Sequence, residues 1–140
     1  MPEELPENGE QIVLLVEDRA ASAAALEMVL SGIDSVRVRI SPNGAAAWDF
    51  LQGIEGGKVC AVVTDLDMPL ISGMDLIRRI RASGAHAKTP VIVVSGTTDA
   101  AAPQEAMQAG ANAFFSKPWS PGRVRATLEQ LLHGRDAERQ

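Results

Sequence analysis

Five short β-rich apolar runs alternate with helical patterns along the chain: Ile12 to Val16, Val36 to Ile40, Cys60 to Thr64, Val91 to Val94 and Ala113 to Ser116. Nothing else in the sequence constrains the fold as tightly. Such alternation belongs to a parallel sheet covered by helices on both faces, because each connecting helix buries its apolar stripe against the strands it joins. Four of the runs are almost continuously apolar, as strands buried on both faces must be. Val36-Arg37-Val38-Arg39-Ile40 alternates instead, which predicts an edge strand with one wet face.

The helical segments carry start signals. Ala47, Phe50, Leu51 and Ile54 recur at helical spacing after Ser41-Pro42, where Ser reads as the cap and Pro as the first helical residue. Leu76, Ile77 and Ile80 form a stripe after Gly73, and Val124, Leu128 and Leu131 form another after Ser120-Pro121; all read as core. The first helix, Arg19 to about Leu30, is Ala-rich and can sit close to the sheet. An interior proline costs a helix about 3 kcal/mol, so Pro103 predicts a helix that starts near Ala102 and leaves Thr97 to Ala101 as a loop. Residues 1–10 read as a flexible N-terminal extension, 11–133 as one domain and 134–140 as a polar tail.

With 46% hydrophobic residues the chain can bury a core of its own. Net charge is -5, and no Lys/Arg cluster is longer than Arg78-Arg79, so nucleic-acid binding is not expected. No run approaches a membrane span and the acidic start is unlike a signal peptide, which predicts a cytoplasmic protein without membrane contact. Cys60 has no second cysteine to pair with and reads as a small core residue. His86 and His133 both read as solvated, His133 favourably placed near a helix C-terminus.

In an open sheet, ligands bind beyond the C-terminal ends of the strands, where strand order reverses. With five strands in the order 2-1-3-4-5, that point lies between strands 1 and 3. Glu17-Asp18 follows strand 1, Asp65 follows strand 3, Ser95-Gly96 follows strand 4 and Lys117-Pro118 follows strand 5. Carboxylates this close repel one another unless a cation compensates. Mg2+, which prefers oxygen ligands and keeps several waters, fits that need. Asp18 and Asp65 read as direct ligands, Glu17 as a ligand through water, and the backbone carbonyl of Asp67 as a third protein ligand. Asp65 is then a nucleophile toward phosphorus, with Lys117 as a positive clamp and Ser95 as a donor to a bound phosphoryl oxygen. A hydroxyl recruited in this way turns the loop after strand 4 into a switch.

These residues resemble the receiver domain of two-component response regulators from about Gln11 to Leu132. The carriers are Glu17-Asp18, Asp65-Leu66-Asp67-Met68-Pro69 with Gly73 after it, Ser95-Gly96 and Lys117-Pro118. Ser95 follows Asp65 by 30 residues and Lys117 follows Ser95 by 22, as that family's pattern expects. The resemblance implies a flavodoxin-like (βα)5 fold and a phosphoprotein in signal transduction, with Mg2+-dependent formation of an aspartyl phosphate on Asp65. The donor would be a histidine kinase or histidine phosphotransfer protein in a phosphorelay. It implies a cis Lys117-Pro118 peptide, Phe114 as the aromatic switch residue, and Asp67 and Thr97 as positions that tune phosphate lifetime. A downstream protein partner or fused output domain would read the face made by helix 4, strand 5 and helix 5. Glu17 stands where the family more often has Asp, which predicts weaker Mg2+ binding; Pro103 shortens helix 4 and predicts an atypical output face. The chain reads as a stand-alone receiver or a piece of a longer protein, and not as a multiple-turnover enzyme on an external substrate.

Two other readings use the same residues. A strand ending in Asp-x-Asp also marks haloacid-dehalogenase-type phosphohydrolases, but there the acid pair follows the nucleophile and here it precedes it. A degenerate receiver serving as an adaptor or dimerisation module is the other, and the chemically competent group at every site position argues against it.

Overall fold

The computed structural model describes residues 11–139, with side chains described as far as 134; the N-terminal extension expected at 1–10 lies outside these. Five strands, β1 (Gln11–Val16), β2 (Val36–Ser41), β3 (Val59–Thr64), β4 (Val91–Ser95) and β5 (Ala113–Ser116), form one parallel sheet of order β2-β1-β3-β4-β5. They alternate with α1 (Ala20–Leu30), α2 (Gly44–Gln52), α3 (Gly73–Ala82), α4 (Ala102–Ala109) and α5 (Pro121–Arg139), and a 3-10 turn, Ile54–Lys58, precedes β3. The last helix therefore runs on through residues that the sequence reading placed in a tail, and His133 lies within it rather than at its end.

The pleat divides the core in two. Ile12, Leu14 and Val16 of β1 face α2, α3 and α4, where Leu51, Leu76, Ile77 and Ile80 are buried. Val13 and Leu15 face α1 and α5, against Leu26, Leu30, Val124 and Leu128. Each such side chain contributes about 1.5–3 kcal/mol by leaving water, so two apolar faces of this size hold the sheet between its helices. Pairing of β1 with β3 slips between Ile12 and Val13, whose partners are Val59 and Ala61. The extra residue is Cys60, which therefore packs on the same side as Ala61, and no periodicity in the sequence marks this bulge.

Several local expectations are corrected. Asn43, not Ser41, caps α2, its Oδ1 accepting the Ala46 N–H at 2.8 Å, while Ser41 is the last residue of β2. Ile54 does not extend the α2 stripe: the helix stops at Gln52 and Ile54 is fully exposed in the following turn. Phe50 is only half-buried, with the Arg39 guanidinium 4.7 Å above its ring, so the wet face of β2 is used to cover an aromatic edge. β5 is the second edge of the sheet and only half-buried, not an interior strand, since among the described residues no strand pairs beyond it. Helix α4 starts at Ala102 with Pro103 in its first turn, as expected. His86 is not solvated but 5% exposed: Nδ1 lies 3.2 Å from Thr89 Oγ1 and Nε2 3.3 Å from the Leu51 carbonyl oxygen.

Candidate functional site

The strand ends carry the site residues to one rim. Asp65 follows β3 directly, and its backbone N–H donates to the Val16 carbonyl at 3.1 Å, which ties it to the end of β1. The Glu17 N–H is held in turn by the Ser41 carbonyl at 3.0 Å. On the other side, the Lys117 N–H donates to the Ser95 carbonyl at 2.8 Å, joining the ends of β5 and β4. Ser95 is the last residue of β4 rather than the first beyond it. The Lys117–Pro118 peptide is cis.

Carboxylate oxygens of Glu17, Asp18 and Asp65 all lie within 4.8 Å of one another. Lys117 Nζ stands 3.8 Å from Glu17 Oε1 and 3.9 Å from Asp65 Oδ2. Three carboxylates thus face one ammonium, and Glu17 and Asp65 are buried while Asp18 is exposed. Two negative charges are left over, and the donors are hard oxygens; both properties suit Mg2+. The two oxygens of Asp65 are not equivalent. Oδ1 accepts the N–H of Leu66 at 2.6 Å and that of Asp67 at 3.4 Å, whereas Oδ2 faces Lys117.

Glu17 bears most of the strain of this arrangement. Burial raises its carboxyl above the ordinary value of 4.5, and the charges of Asp65 and Asp18 push the same way; the Arg19 N–H, which Oε2 accepts at 3.2 Å, and Lys117 oppose them. Between 4.5 and the raised folded value, the native state holds a proton that the unfolded chain has released. Stability of the ion-free protein therefore falls as pH rises through that window. Glu17→Gln should flatten this slope and stabilise the ion-free protein at neutral pH, as measured by urea unfolding in a chelator from about pH 4 to about pH 8. The same variant should gain less stability from added Mg2+ than the wild type. A steeper slope in the variant would contradict the burial argument.

Ser95 is fully buried, and its Oγ accepts the Thr97 N–H at 3.1 Å, leaving the hydroxyl proton available to another acceptor. Thr97 and the exposed Asp67 line one small hollow beside the rim, together with Ser72 and Met74. Phe114 is half-buried on the α4 side of the sheet, in the cluster that includes Ala102 and Ala106. Glu17, Asp18, Asp65, Ser95 and Lys117 thus lie at this rim and Asp67 and Thr97 in the hollow beside it, whereas Phe114 lies within β5.

Gly73 sets how tightly α3 closes on the site. Its N–H donates to the Leu66 carbonyl at 2.9 Å, and a Cβ there would strike the Asp65 carbonyl oxygen and the Leu66 Cα. The obstacle is backbone, so it cannot rotate away. Gly73→Ala is expected to cost about 2 kcal/mol through overpacking, read by thermal unfolding, and to move the Asp65 backbone.

The response regulator receiver domain model matches residues 13–129. A chemotaxis protein CheY homolog of Campylobacter jejuni is 29% identical over 120 residues, covering 86% of this chain and 91% of its own. The transcriptional regulatory protein FixJ of Azorhizobium caulinodans is 34% identical over 138 residues, covering 99% of this chain and 59% of that protein. A response regulator receiver protein from Pseudomonas putida superposes with a TM-score of 0.75 at 33% identity, covering 86% of this chain and 97% of that one. A receiver domain protein from Clostridium thermocellum, at 22% identity and TM-score 0.79, covers 91% of this chain and 98% of its own and shares the fold. With the family pattern matched along most of its length, and the sheet order and acidic rim in place, this chain belongs to the response regulator receiver domains of two-component signalling.

Proposed function

We propose that this receiver accepts a phosphoryl group on Asp65 from a histidine kinase or histidine phosphotransfer protein, and that the resulting aspartyl phosphate alters a surface read by a partner. The observation that carries this reading is the geometry of Asp65: one oxygen is held by two backbone donors and the other faces Lys117 beside an excess of carboxylates. Oδ2 is then the attacking oxygen, and the backbone donors on Oδ1 fix the carboxylate so that little reorientation is needed before attack.

Glu17, Asp18, Asp65 and the backbone carbonyl of Asp67 would hold Mg2+. Bound there, Mg2+ supplies positive charge that offsets the acids and the incoming phosphoryl oxygens. Lys117 supplies a fixed positive charge on the side of Oδ2, where negative charge spreads over the transferring group. Ser95 donates its hydroxyl proton to a phosphoryl oxygen. Its Oγ then moves relative to the Thr97 N–H it now accepts, which carries the change into the loop before α4. Phe114, packed against the α4 side, follows through packing alone, since its ring has no polar atom. Asp67 and Thr97 stand where they would govern access of water to the phosphate. The output face proposed is α4, β5 and α5.

Nothing in this scheme needs an external substrate to turn over, so the chain acts as an acceptor rather than as a conventional enzyme. The haloacid-dehalogenase reading is not favoured, because the family match runs along the chain from 13 to 129. The test is intact mass after incubation with acetyl phosphate. Expected is the gain of one phosphoryl group that requires Mg2+ and is lost in hydroxylamine, which cleaves acyl phosphates. No gain, with folded protein and Mg2+ present, would favour the adaptor reading instead.

A further inference from the structure

A second cavity opens at the other end of the sheet from Asp65. It lies between the end of α2, the start of β3 and the segment joining α3 to β4, and measures about 430 Å3. A neighbouring hollow of about 360 Å3 shares Trp48, Gln52 and Ser83 with it. The first has a volume in the usual range of small-molecule sites, about 300–1,000 Å3, and the second is a shallow, open extension of it. Val59, which begins β3, lines the cavity, whereas Asp65 follows the end of that strand. At about 3.3 Å per residue the two sites are roughly 20 Å apart.

The walls are chemically mixed. Trp48 is half-buried and offers ring surface, with Leu51 and Val59 adding an apolar side. Gln52 and Ser83 contribute an amide and a hydroxyl at the edge. His86 fixes this wall in shape, since its ring bridges Thr89 in its own loop and the Leu51 carbonyl at the end of α2. Arg79 lines the adjoining hollow, and among the described residues its guanidinium has neither a hydrogen bond nor an ion pair. No carboxylate lines either hollow, although the chain carries a net charge of -5.

We propose that the two adjoining hollows together bind a small planar aromatic anion, with its ring against Trp48, which lines both, and its acidic group toward Arg79 in the second. An indole face attracts both rings and cations. The unpaired Arg79 beside it repels cations and leaves aromatic anions favoured. An aliphatic anion would gain the charge but not the stacking, and the volume limits the ligand to one or two fused rings. This site is independent of Asp65, Lys117 and the acidic rim.

The test is a 1H–15N chemical-shift titration of the whole chain with indole-3-acetate, beside tryptamine, which has the same ring and a positive charge, and acetate, which has the charge and no ring. Indole-3-acetate should give saturable shifts at Trp48, Gln52, Ser83 and His86, and the two controls should not. Arg79→Gln, an exposed position that should not affect folding, should weaken binding about fivefold, the size of a partly exposed charge contact. Trp48→Ala should abolish it, with Mg2+-dependent phosphoryl uptake as the check that the variant is folded. Shifts that fail to saturate, equal shifts with tryptamine, or unchanged affinity in Arg79→Gln would each overturn the proposal.

Discussion

Asp65→Asn will take up no phosphoryl group from acetyl phosphate and Mg2+, and the ion-free variant will be more stable than the wild type. The first result follows because Asn puts a non-nucleophilic amide NH2 where Oδ2 stands. The second follows from charge. Glu17, Asp18 and Asp65 face one another with Lys117 as the nearby cation, so removing one carboxylate relieves repulsion while an amide oxygen can still accept the Leu66 and Asp67 N–H groups. The loss of the Asp65 attraction to Lys117 works against this gain. Two acid–acid contacts are relieved for one ion pair lost, and Lys117 keeps Glu17 at 3.8 Å, so the gain should win by about 1 kcal/mol. Intact mass checks the first claim and chelator-treated urea unfolding the second. Uptake at the wild-type level would remove Asp65 from its role; lower stability would mean that the ion pair outweighs the repulsion.

The largest stability effect is expected far from the acids, at Arg81. Its Nε donates to the Gly110 carbonyl at 2.9 Å and its Nη1 to the Thr89 carbonyl at 2.6 Å, with weaker contacts to Ala87 and His86. Nη2 donates to Asn112 Oδ1 at 2.9 Å, and that oxygen also accepts the Val91 N–H at 2.8 Å. One guanidinium thus joins the end of α3, the loop before β4 and the turn between α4 and β5. Gly110 belongs to the same device: it sits at φ +124, and a Cβ on it would press into the Arg81 side chain. Burial lowers the Arg81 pKa, and no carboxylate among the described residues pairs with it. Hydrogen bonds from a charged donor are worth about 1.5–3 kcal/mol each but overlap when they share a group, so Arg81→Ala should cost about 3 kcal/mol after the relieved desolvation is set against them. Arg81→Lys should recover less than half, because an ammonium cannot span acceptors on three segments at once. Equilibrium urea unfolding checks both, and a cost in Arg81→Ala below about 1 kcal/mol would show that water replaces the guanidinium well.

Arg81 also shows how far the sequence could be read. The stripe Leu76, Ile77 and Ile80 marked the inner side of α3, but nothing in it singled out Arg81, which follows Ile80 at the edge of that stripe. What Arg81 would meet there was not legible either, because Gly110 and Asn112 are about thirty residues away in the chain. His86 failed for the same reason: its own neighbours are small and polar-compatible with a loop, and the carbonyl that draws it inward belongs to Leu51. The cap of α2 failed locally, since Ser41 and Asn43 are both good caps, and the sheet, by pairing Ser41 with Val16, left Asn43 to do it.

The alternation of strands with helices, the edge character of β2, the late start of α4 and the polar residues at the strand ends were determined by the sequence itself. Each rests on a local rule: periodicity, a proline that cannot sit inside a helix, or an acid, hydroxyl or lysine at the end of an apolar run. Tertiary structure alone decided the bulge at Cys60, the burial of His86, the carbonyl cage around Arg81, the cavity beside Trp48 and the unequal surroundings of the two Asp65 oxygens. These depend on which distant backbone groups are left without partners once the helices have docked, and the pattern of side chains along one strand or helix does not encode that.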